Sequence, residues 1–413
     1  MRYVSIDSLI FTLLFFCIRK SIYLGLVALC VTIVVLVILD PKVRSLNVKP
    51  MFPFFLINGI ILFSGAFSMI WGVAGVRDIT RDVVTFSFPS LALIFGYYWF
   101  GRIKSLEARR TRLIQDLFTA GTLGVIVEIV IVLSNFSILR SADVRQYREL
   151  LGTGNDATLI ALIFGLFIFQ NFPQNSKLRT LLLLAFTGSI LFSFSRINFL
   201  VIIVCGAFMI IEANNFKFTS RLLISVGLIV FIFFTAVPQE IRASFLNKLG
   251  NSFSEVSTQS ANFDTWADIN NNWRGYEKYR TIQTFKDAGL FNRIFGMGLG
   301  ARLQLPFTMT LDGQQYSSIP TIHTSYYYIL LKSGILGLIA YTSLILSFLV
   351  HALHIRDKSQ DLFKMLILSF ILLAIKGYTE GGLLNAQDSF LLVGVLGYFQ
   401  SVRENRRRFG DGF

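Results

Sequence analysis

The chain has 413 residues, of which 54% are hydrophobic and only 15% charged, and its net charge is +14. Soluble domains carry about 25% charged residues, so this chain has too few charges to cover an aqueous surface. Long apolar stretches recur along it, and in lipid such stretches must be helices because a helix satisfies its own backbone hydrogen bonds. The composition therefore excludes a soluble protein and predicts an all-α, polytopic membrane protein.

About twelve apolar segments are predicted to be transmembrane helices. They cover approximately residues 6–18, 21–39, 51–73, 83–101, 114–136, 155–171, 180–195, 197–213, 222–238, 325–352, 361–377 and 388–402.

Basic residues orient these helices. With the amino terminus inside, basic clusters such as 101–112 and 403–409 fall on the inner face, whereas the short outer loops carry fewer Lys and Arg. This asymmetry satisfies the positive-inside rule and predicts that both termini are cytoplasmic. The net positive charge then reflects membrane topology, and it gives no reason to expect a nucleic-acid partner.

A long segment interrupts the even spacing of the helices. The prediction divides the chain into nine helices at 1–238, a large outer loop at 239–321, and three helices with a basic tail at 322–413. Loops longer than about 12–15 residues are usually functional or disordered. The loop is therefore the first place to look for a functional site.

Within this loop, Trp273–Ala288 has the pattern of an amphipathic helix. Tyr279, Ile282 and Phe285 recur at helical spacing and form an apolar stripe. Such a helix could lie on the membrane surface and cover a site beneath it. Gly289 is predicted to end it.

Arginines on the outer face indicate an anionic ligand, because the planar guanidinium matches phosphate oxygens and stays charged. Arg196 is the clearest case, since it stands at the tip of a tight helical hairpin. The alternative for any one of them is an arginine that reaches lipid headgroups. The arginines predicted in short outer loops are Arg77, Arg81, Arg140, Arg145, Arg148 and Arg196.

The large loop adds further basic residues. Arg274 and Lys278 are four residues apart, so a helix presents both on one side. Glu277 is three residues from Arg274 and could pair with it instead. The glycines Gly296, Gly298 and Gly300 follow; without a strand–turn–helix context they predict a tight turn or a backbone nest, and not a nucleotide site.

The sequence IHTSYYYILLKSGILG joins the loop to the tenth predicted helix. At about 100° per residue, His323, Tyr327, Gly334 and Gly337 share one face of the predicted helix. The two glycines would let a neighbouring helix pack closely and would aim His323. An imidazole titrates near 6.5 and can accept a proton from a hydroxyl or hold one in a hydrogen bond. His323 is therefore either a catalytic residue or an interfacial hydrogen-bonding residue.

Charged residues inside predicted spans are costly and often functional. Glu128, Lys332 and Lys376 are of this kind. A structural pair between Glu128 and a lysine of another helix is the first expectation, and proton or substrate handling is the alternative. Asp156, near an outer mouth, is a further candidate acid or base. The three cysteines lie in apolar spans, so neither a disulfide nor a cysteine metal site is expected.

The motif beginning at His323 resembles the signature of the bacterial O-antigen ligase and O-antigen polymerase superfamily. That signature is a histidine, a small polar residue, nine residues and then G-x-x-G, which His323, Thr324, Gly334 and Gly337 match in spacing. The Ser195–Arg196 tip, the arginine helix of the loop and the glycine-rich run that follows also agree. Ligases typically have asparagine, serine or glutamine where this chain has Thr324, and often threonine where it has Leu338, so the chain departs from the ligase pattern. The apolar run LLKSGILGLIAY and the lack of a recognisable lipid A-specific feature favour a polymerase.

The resemblance implies a glycosyltransferase of the bacterial inner membrane, with its active site facing the periplasm. Its substrates would be an undecaprenyl-pyrophosphate-linked glycan and a sugar hydroxyl, and its products O-antigen, lipopolysaccharide or exopolysaccharide. Arg196 and Arg274 would bind the pyrophosphate, with Lys278, Arg77, Arg81 and Tyr327 as further substrate-binding residues, and His323 would activate or orient the acceptor hydroxyl. No metal or cofactor is implied. A chain-length regulator and a flippase are the implied protein partners.

Two other functions remain open from the sequence. The first is a ligase that transfers the finished glycan to lipid A-core. The second is a flippase of lipid-linked sugars, which the intramembrane charges favour, whereas the lack of an internal repeat and the long outer loop argue against it. A membrane protein whose loop only binds a partner is a third possibility.

Overall fold

This computed structural model describes ten stretches and a few single positions. The stretches are 5–44, 48–71, 74–103, 105–134, 156–168, 176–192, 195–213, 272–311, 314–356 and 359–409, and the single positions include 227, 231, 234, 263 and 269. Arg140, Arg145 and Arg148 lie outside the described residues, as does most of the ninth predicted span.

Helices dominate the described chain. The α-helices are α1 Ile6–Lys20, α2 Ile22–Leu39, α3 Pro41–Arg44, α4 Phe52–Ser68, α5 Val76–Gly101, α6 Leu106–Ser134, α7 Asp156–Ile160, α8 Ser176–Phe192, α9 Arg196–Ala213, α10 Trp273–Asp287, α11 Leu290–Phe295, α12 Ser325–Ile355, α13 Gln360–Thr379, α14 Ala386–Asp388 and α15 Gly394–Phe409. Two π-helical stretches extend α7 and link α14 to α15; they are Ala161–Ile168 and Ser389–Val393.

The predicted spans coincide with helices wherever the structure describes them. Within the described residues, five helical segments are long and apolar enough to cross a membrane, and they are Ile22–Leu39, Val76–Gly101, Leu106–Ile131, Ser325–Ile355 and Gln360–Thr379. The protein is thus a mostly helical, multi-pass membrane protein, as its composition predicts.

Helix α12 is a central element of the described fold. It packs against α4 on one side and α13 on the other, while α5 packs against α15. The buried residues are mainly Phe, Leu and Ile, and they form one continuous apolar core. Apolar side chains on the outer surfaces of α2, α4 and α12 are exposed, as expected for surfaces that face lipid.

A β-hairpin departs from the expected all-α fold. Its strands, β1 Leu303–Leu311 and β2 Gln314–Ile319, lie inside the predicted loop and pair antiparallel. Leu303 pairs with Ile319, and an irregularity interrupts the register between Gln304 and Met309. Alternation explains the hairpin: Leu303 and Leu305 are buried, whereas Gln304 and Pro306 are exposed. This alternation covers only a few residues, and the sequence analysis did not predict the hairpin.

Gly334 breaks the path of α12. Its φ of 64° and ψ of −161° are not helical, and a Cβ there would overlap the carbonyl of Ile294 and the amide of Gly296. The run Gly296–Gly300 fills the break: Met297 donates to the carbonyl of Leu331 at 2.7 Å and Gly298 to that of Lys332 at 3.2 Å. The glycine run therefore supplies the amides that the interrupted helix lacks.

This geometry corrects the helical-face argument for His323. His323 precedes α12, which begins at Ser325, and Gly334 itself has a non-helical backbone. His323 and Gly334 therefore do not share a helical face, and that prediction is wrong. Gly334 meets the backbone of α11 and the glycine run, and Gly337 is buried farther along α12.

Candidate active site

His323 and Glu277 form the centre of the site. Nδ1 of His323 lies 2.9 Å from Oε1 and 3.0 Å from Oε2 of Glu277, and the backbone amide of His323 donates to Oε2 at 3.1 Å. Nε1 of Trp273 donates to Oε1 at 2.8 Å. The carboxylate is therefore fixed by three donors, two of which come from the histidine that it orients.

The loop helix, α10, brings Glu277 to this position. The side chain of Asn272 caps it by accepting from the amide of Gly275 at 3.2 Å. Its buried face carries Tyr276, Glu277 and Lys278. The helix was predicted within one residue of its observed end, but its orientation differs from a simple amphipathic helix.

The predicted apolar stripe does not face the core. Tyr279 is 37% exposed and Ile282 and Phe285 are half-buried, whereas Glu277 is 1% and Lys278 3% exposed. The loop helix thus turns acidic and basic groups inward. Burial of charges costs free energy unless they are paired, so these inward groups need partners within the protein.

The environment of His323 favours its protonated form. The hydrogen bond with Glu277 raises the pKa of His323 above the 6.5 of a free imidazole, while burial opposes the shift. The positive charge of Arg274 lowers the same pKa and the negative charge of Glu380 raises it. Because Glu277 occupies Nδ1, Nε2 is the nitrogen that can exchange a proton with a substrate. The side chain is 54% exposed, which leaves it accessible.

Arg274 faces Glu380 and does not pair with Glu277. Nη2 of Arg274 lies 3.8 Å from Oε1 of Glu380, and both side chains are about a quarter exposed. The pair of Arg274 and Glu277 that the sequence allowed is therefore wrong, because Glu277 is occupied by His323 and Trp273.

Lys278 lies one turn beyond Arg274 on the same face of α10. Its Nζ is 3.9 Å from the ring centroid of Tyr378, in a cation–π geometry. Tyr327, near the start of α12, lies beside Tyr378 as well. Arg274 and Lys278 thus attach the loop helix to Tyr378 and Glu380, at the end of α13.

Arg196 is the first residue of α9 and is half-buried. Helix α8 ends at Phe192, four residues before Arg196. Helix α9 packs along α13, and the rings of Phe208 and Phe363 lie 6.4 Å apart.

Arg77 and Arg81 lie on a helix and not in the predicted short loop, because α5 begins at Val76, before the predicted boundary. Arg77 is exposed. Arg81 donates to Asp78 at 2.9 Å, to Asp82 at 3.1 Å and to the carbonyl of Pro320 at 3.0 Å. Most of its donors are engaged inside the protein.

The glycine run also differs from an open backbone nest. Beyond the bonds to α12, the amide of Leu299 donates to the carbonyl of Gly65 at 3.0 Å and that of Gly300 to Oδ2 of Asp82 at 2.7 Å. The amides of the run are therefore bound to the protein itself. Positive φ angles at Gly296, Gly298 and Gly300 explain why glycine occupies these positions.

The charged residues within the spans have specific partners. Nζ of Lys376 contacts Asp156 and lies 2.6 Å from Asp388, and all three side chains are buried. Glu128 accepts from Ser189 on α8. The expected pair of Glu128 with a lysine is thus not present, and the lysine–acid pairing involves two aspartates instead. Among the described residues, no group of three His, Cys, Asp or Glu side chains could hold a metal ion.

A comparison with known protein families identifies the domain that contains much of this site. Residues 180–342 match the family described as O-antigen ligase. The match to the O-antigen ligase family includes Arg196, Glu277 and His323, and it confirms the resemblance to the ligase and polymerase superfamily. No curated protein matches the chain.

The sequence did not identify two residues of the site. Glu277 was considered only as a partner of Arg274, and Glu380 was not considered. Glu277 carried no signal of its pairing with His323, because helical spacing does not relate residues that lie 46 positions apart. Glu380 carried none, since only the packing of α13 against the loop helix brings it to Arg274.

Proposed function

We propose that the protein is a membrane glycosyltransferase that polymerises oligosaccharide repeat units carried on a polyprenyl pyrophosphate, at the outer face of the bacterial inner membrane. The observation that carries the proposal is the buried Glu277 carboxylate, which orients His323 and lies three residues from Arg274 on α10. A histidine held by a carboxylate suits proton removal from a hydroxyl, and an arginine suits a pyrophosphate.

In the proposed reaction, a hydroxyl of the acceptor sugar attacks the anomeric carbon of the donor. The bond from this carbon to the phosphate oxygen breaks, and the polyprenyl pyrophosphate leaves with the bonding electrons. Nε2 of His323 accepts the hydroxyl proton, and Glu277 stabilises the imidazolium that forms. The proton then passes to solvent, which restores the neutral imidazole for the next transfer.

Arg274 would stabilise the charge that develops on the departing pyrophosphate. Its side chain is about a quarter exposed, and its neighbour Glu380 lies at 3.8 Å without close hydrogen-bond geometry. A dianionic pyrophosphate could therefore replace the carboxylate as its partner. Lys278, one turn away, adds positive charge to the same face.

Arg196 is proposed as a second pyrophosphate ligand. The rings of Phe208 and Phe363 mark one point at which α9 packs against α13. Arg196 on α9 and Lys376 on α13 lie at similar distances from this point along their helices. Helices that run antiparallel along each other would bring Arg196 to the end of α13 that carries Tyr378 and Glu380. In that arrangement Arg196 would share a site with Arg274.

A ligase is the second candidate, and the description of the matched family favours it. Both reactions use the same donor and the same leaving group, and they differ only in the acceptor, which is lipid A-core in the ligase. The side-chain chemistry of Glu277, His323 and Arg274 suits either acceptor.

Alanine substitution of His323, Arg274 and Arg196 in the host organism tests the proposal. A polymerase defect would leave single repeat units on the surface, whereas a ligase defect would leave long lipid-linked chains unattached. Two control variants remove the same residue types outside the site. They are His354→Ala, at an exposed histidine at the other end of α12, and Arg293→Ala, at an exposed arginine of the loop. Normal surface polysaccharide in all three test variants would overturn the proposal.

A further inference from the structure

A second charged cluster lies behind the active site and takes no part in the proposed chemistry. Asp82, which is 0% exposed, accepts from Lys332 at 2.8 Å, from Arg81 at 3.1 Å, from the amide of Gly300 at 2.7 Å and from the hydroxyl of Tyr328. These residues are called the Asp82 cluster below. It joins α5, the glycine run and α12 at one carboxylate.

The cations of the cluster also bind the segment that carries His323. Nη2 of Arg81 donates to the carbonyl of Pro320 at 3.0 Å, and Nζ of Lys332 lies 3.4 Å from the same oxygen. Lys332 donates in addition to the carbonyl of Ala301. Two cations thus converge on a carbonyl three residues before His323.

The cluster holds the other side of His323 as well. Tyr328, five residues after it, donates its hydroxyl to Asp82. His323 therefore lies between two attachment points, Pro320 and Tyr328, that lead to the same buried carboxylate. A shift of Asp82 or Lys332 would move both attachment points together.

The break at Gly334 restricts such a shift to the start of α12. Because Gly334 is not helical and Met297 and Gly298 bond the carbonyls just before it, the first turns of α12 are held separately from the rest of the helix. Ser64 strengthens this attachment by donating to the carbonyl of Ser333 at 2.8 Å. Removal of a bond in the Asp82 cluster should therefore displace His323 more than it displaces the remainder of α12.

We propose that Asp82 and Lys332 are positioning residues for glycosyl transfer, which set the place of His323 through Pro320 and Tyr328. The inference rests on the proposed function for its effect on catalysis. Two fully buried, oppositely charged groups cost desolvation free energy that their attraction does not always recover. A positioning role explains why Asp82 and Lys332 are both buried at 0% exposure despite this cost.

The test compares Lys332→Met with wild type, using the purified full-length protein in detergent and its polyprenyl-pyrophosphate-linked glycan. The expected result is a fall in kcat of roughly tenfold to a hundredfold, since a displacement of about 1 Å at a reacting group can cost 10²-fold. The KM for the donor should stay unchanged, because neither residue contacts Arg274. Lys286→Met, at an exposed lysine of the loop helix, is the matched control.

Hydrogen exchange supplies a readout that does not depend on activity. Faster exchange of the amides from His323 to Tyr328 in Lys332→Met, with α13 unchanged, is expected. If Lys332→Met fails to fold, Tyr328→Phe takes its place, because it removes one hydroxyl and keeps the ring, and a smaller effect in the same direction is expected. Unchanged exchange, or faster exchange with a normal kcat, would overturn the positioning role.

The two proposals fail in different ways. Normal glycosyl transfer by the His323→Ala variant would overturn the proposed function, whatever hydrogen exchange shows for the Lys332→Met variant. A large defect in His323→Ala together with normal kcat in Lys332→Met and Tyr328→Phe would remove only the positioning role.

Discussion

Glu277 binds both the backbone amide and the imidazole of His323, although 46 residues separate them in the chain. Two bonds from one carboxylate to one residue fix the position of the backbone as well as the orientation of the ring. Trp273 then holds the carboxylate itself. The histidine is thus oriented by a helix of the large loop, and not by the glycines of α12.

The Glu277→Gln variant should change the pH dependence of glycosyl transfer. In the wild type, Glu277 raises the pKa of His323, so the basic imidazole forms only as the pH rises through that raised value. The neutral amide removes this effect, and the acid limb of the kcat profile should move to lower pH. The plateau should fall by about tenfold to a hundredfold, less than the roughly 10²–10⁴-fold expected for loss of a general base.

The control for this prediction is Asp287→Asn, at an exposed acid at the end of the same helix. Its pH profile should match the wild type. An acid limb that stays in place in Glu277→Gln would show that His323 is not the titrating base.

The Glu380→Gln variant should strengthen binding of pyrophosphate. Glu380 lies 3.8 Å from Arg274 and competes with an anionic ligand for the guanidinium. Partly exposed ion pairs contribute about 0.2–1 kcal/mol, so loss of the charge should tighten binding by at most roughly fivefold. Inhibition by inorganic pyrophosphate measures the effect, and Arg274→Ala should abolish the difference between the two backgrounds. Weaker inhibition in Glu380→Gln would contradict this role of Arg274.

Substitution of Gly334 should destabilise the protein. A Cβ in Gly334→Ala would overlap the backbone of Ile294 and Gly296, and a φ of 64° is strained for alanine. Left-handed backbone alone costs about 1–3 kcal/mol, and the overlap adds to it. Thermal unfolding in detergent should show a clear drop in Tm. Gly188→Ala is the control, because open space surrounds that helical glycine, and its Tm should stay equal or rise.

Loss of Lys376 should be more damaging than loss of Asp388. Lys376→Met leaves the buried carboxylates of Asp156 and Asp388 together without their cation, and breaking a buried pair costs about 3–5 kcal/mol. Asp388→Asn keeps one carboxylate with the ammonium, so it should cost less. The amount of monodisperse protein after heating in detergent compares them, with Lys364→Met as a half-buried control on the same helix. Equal stability of the two variants would contradict a shared ion cluster.

Apolar length was enough to predict most of the helices, because each span is a local property of the sequence. The loop helix that begins at Trp273 and the candidate role of His323 were likewise predictable, since helical spacing and a sequence motif each lie within a short stretch of the chain. The partner of Glu277 and the Asp82 cluster could not be predicted in this way. Tyr328 is 246 positions from Asp82, and spacing along one helix carries no information about contacts between helices.

The attachment of the loop helix has a consequence for the order in which the protein is made. Arg274 and Lys278 are held by Glu380 and Tyr378, which lie later in the chain. During synthesis from the amino terminus, the loop helix is therefore made before these partners exist. A chain interrupted after His323 but before Tyr378 would contain the histidine and its carboxylate yet leave the arginine unheld. Arg274 and Lys278 can thus contact these partners only after α13 has been synthesised.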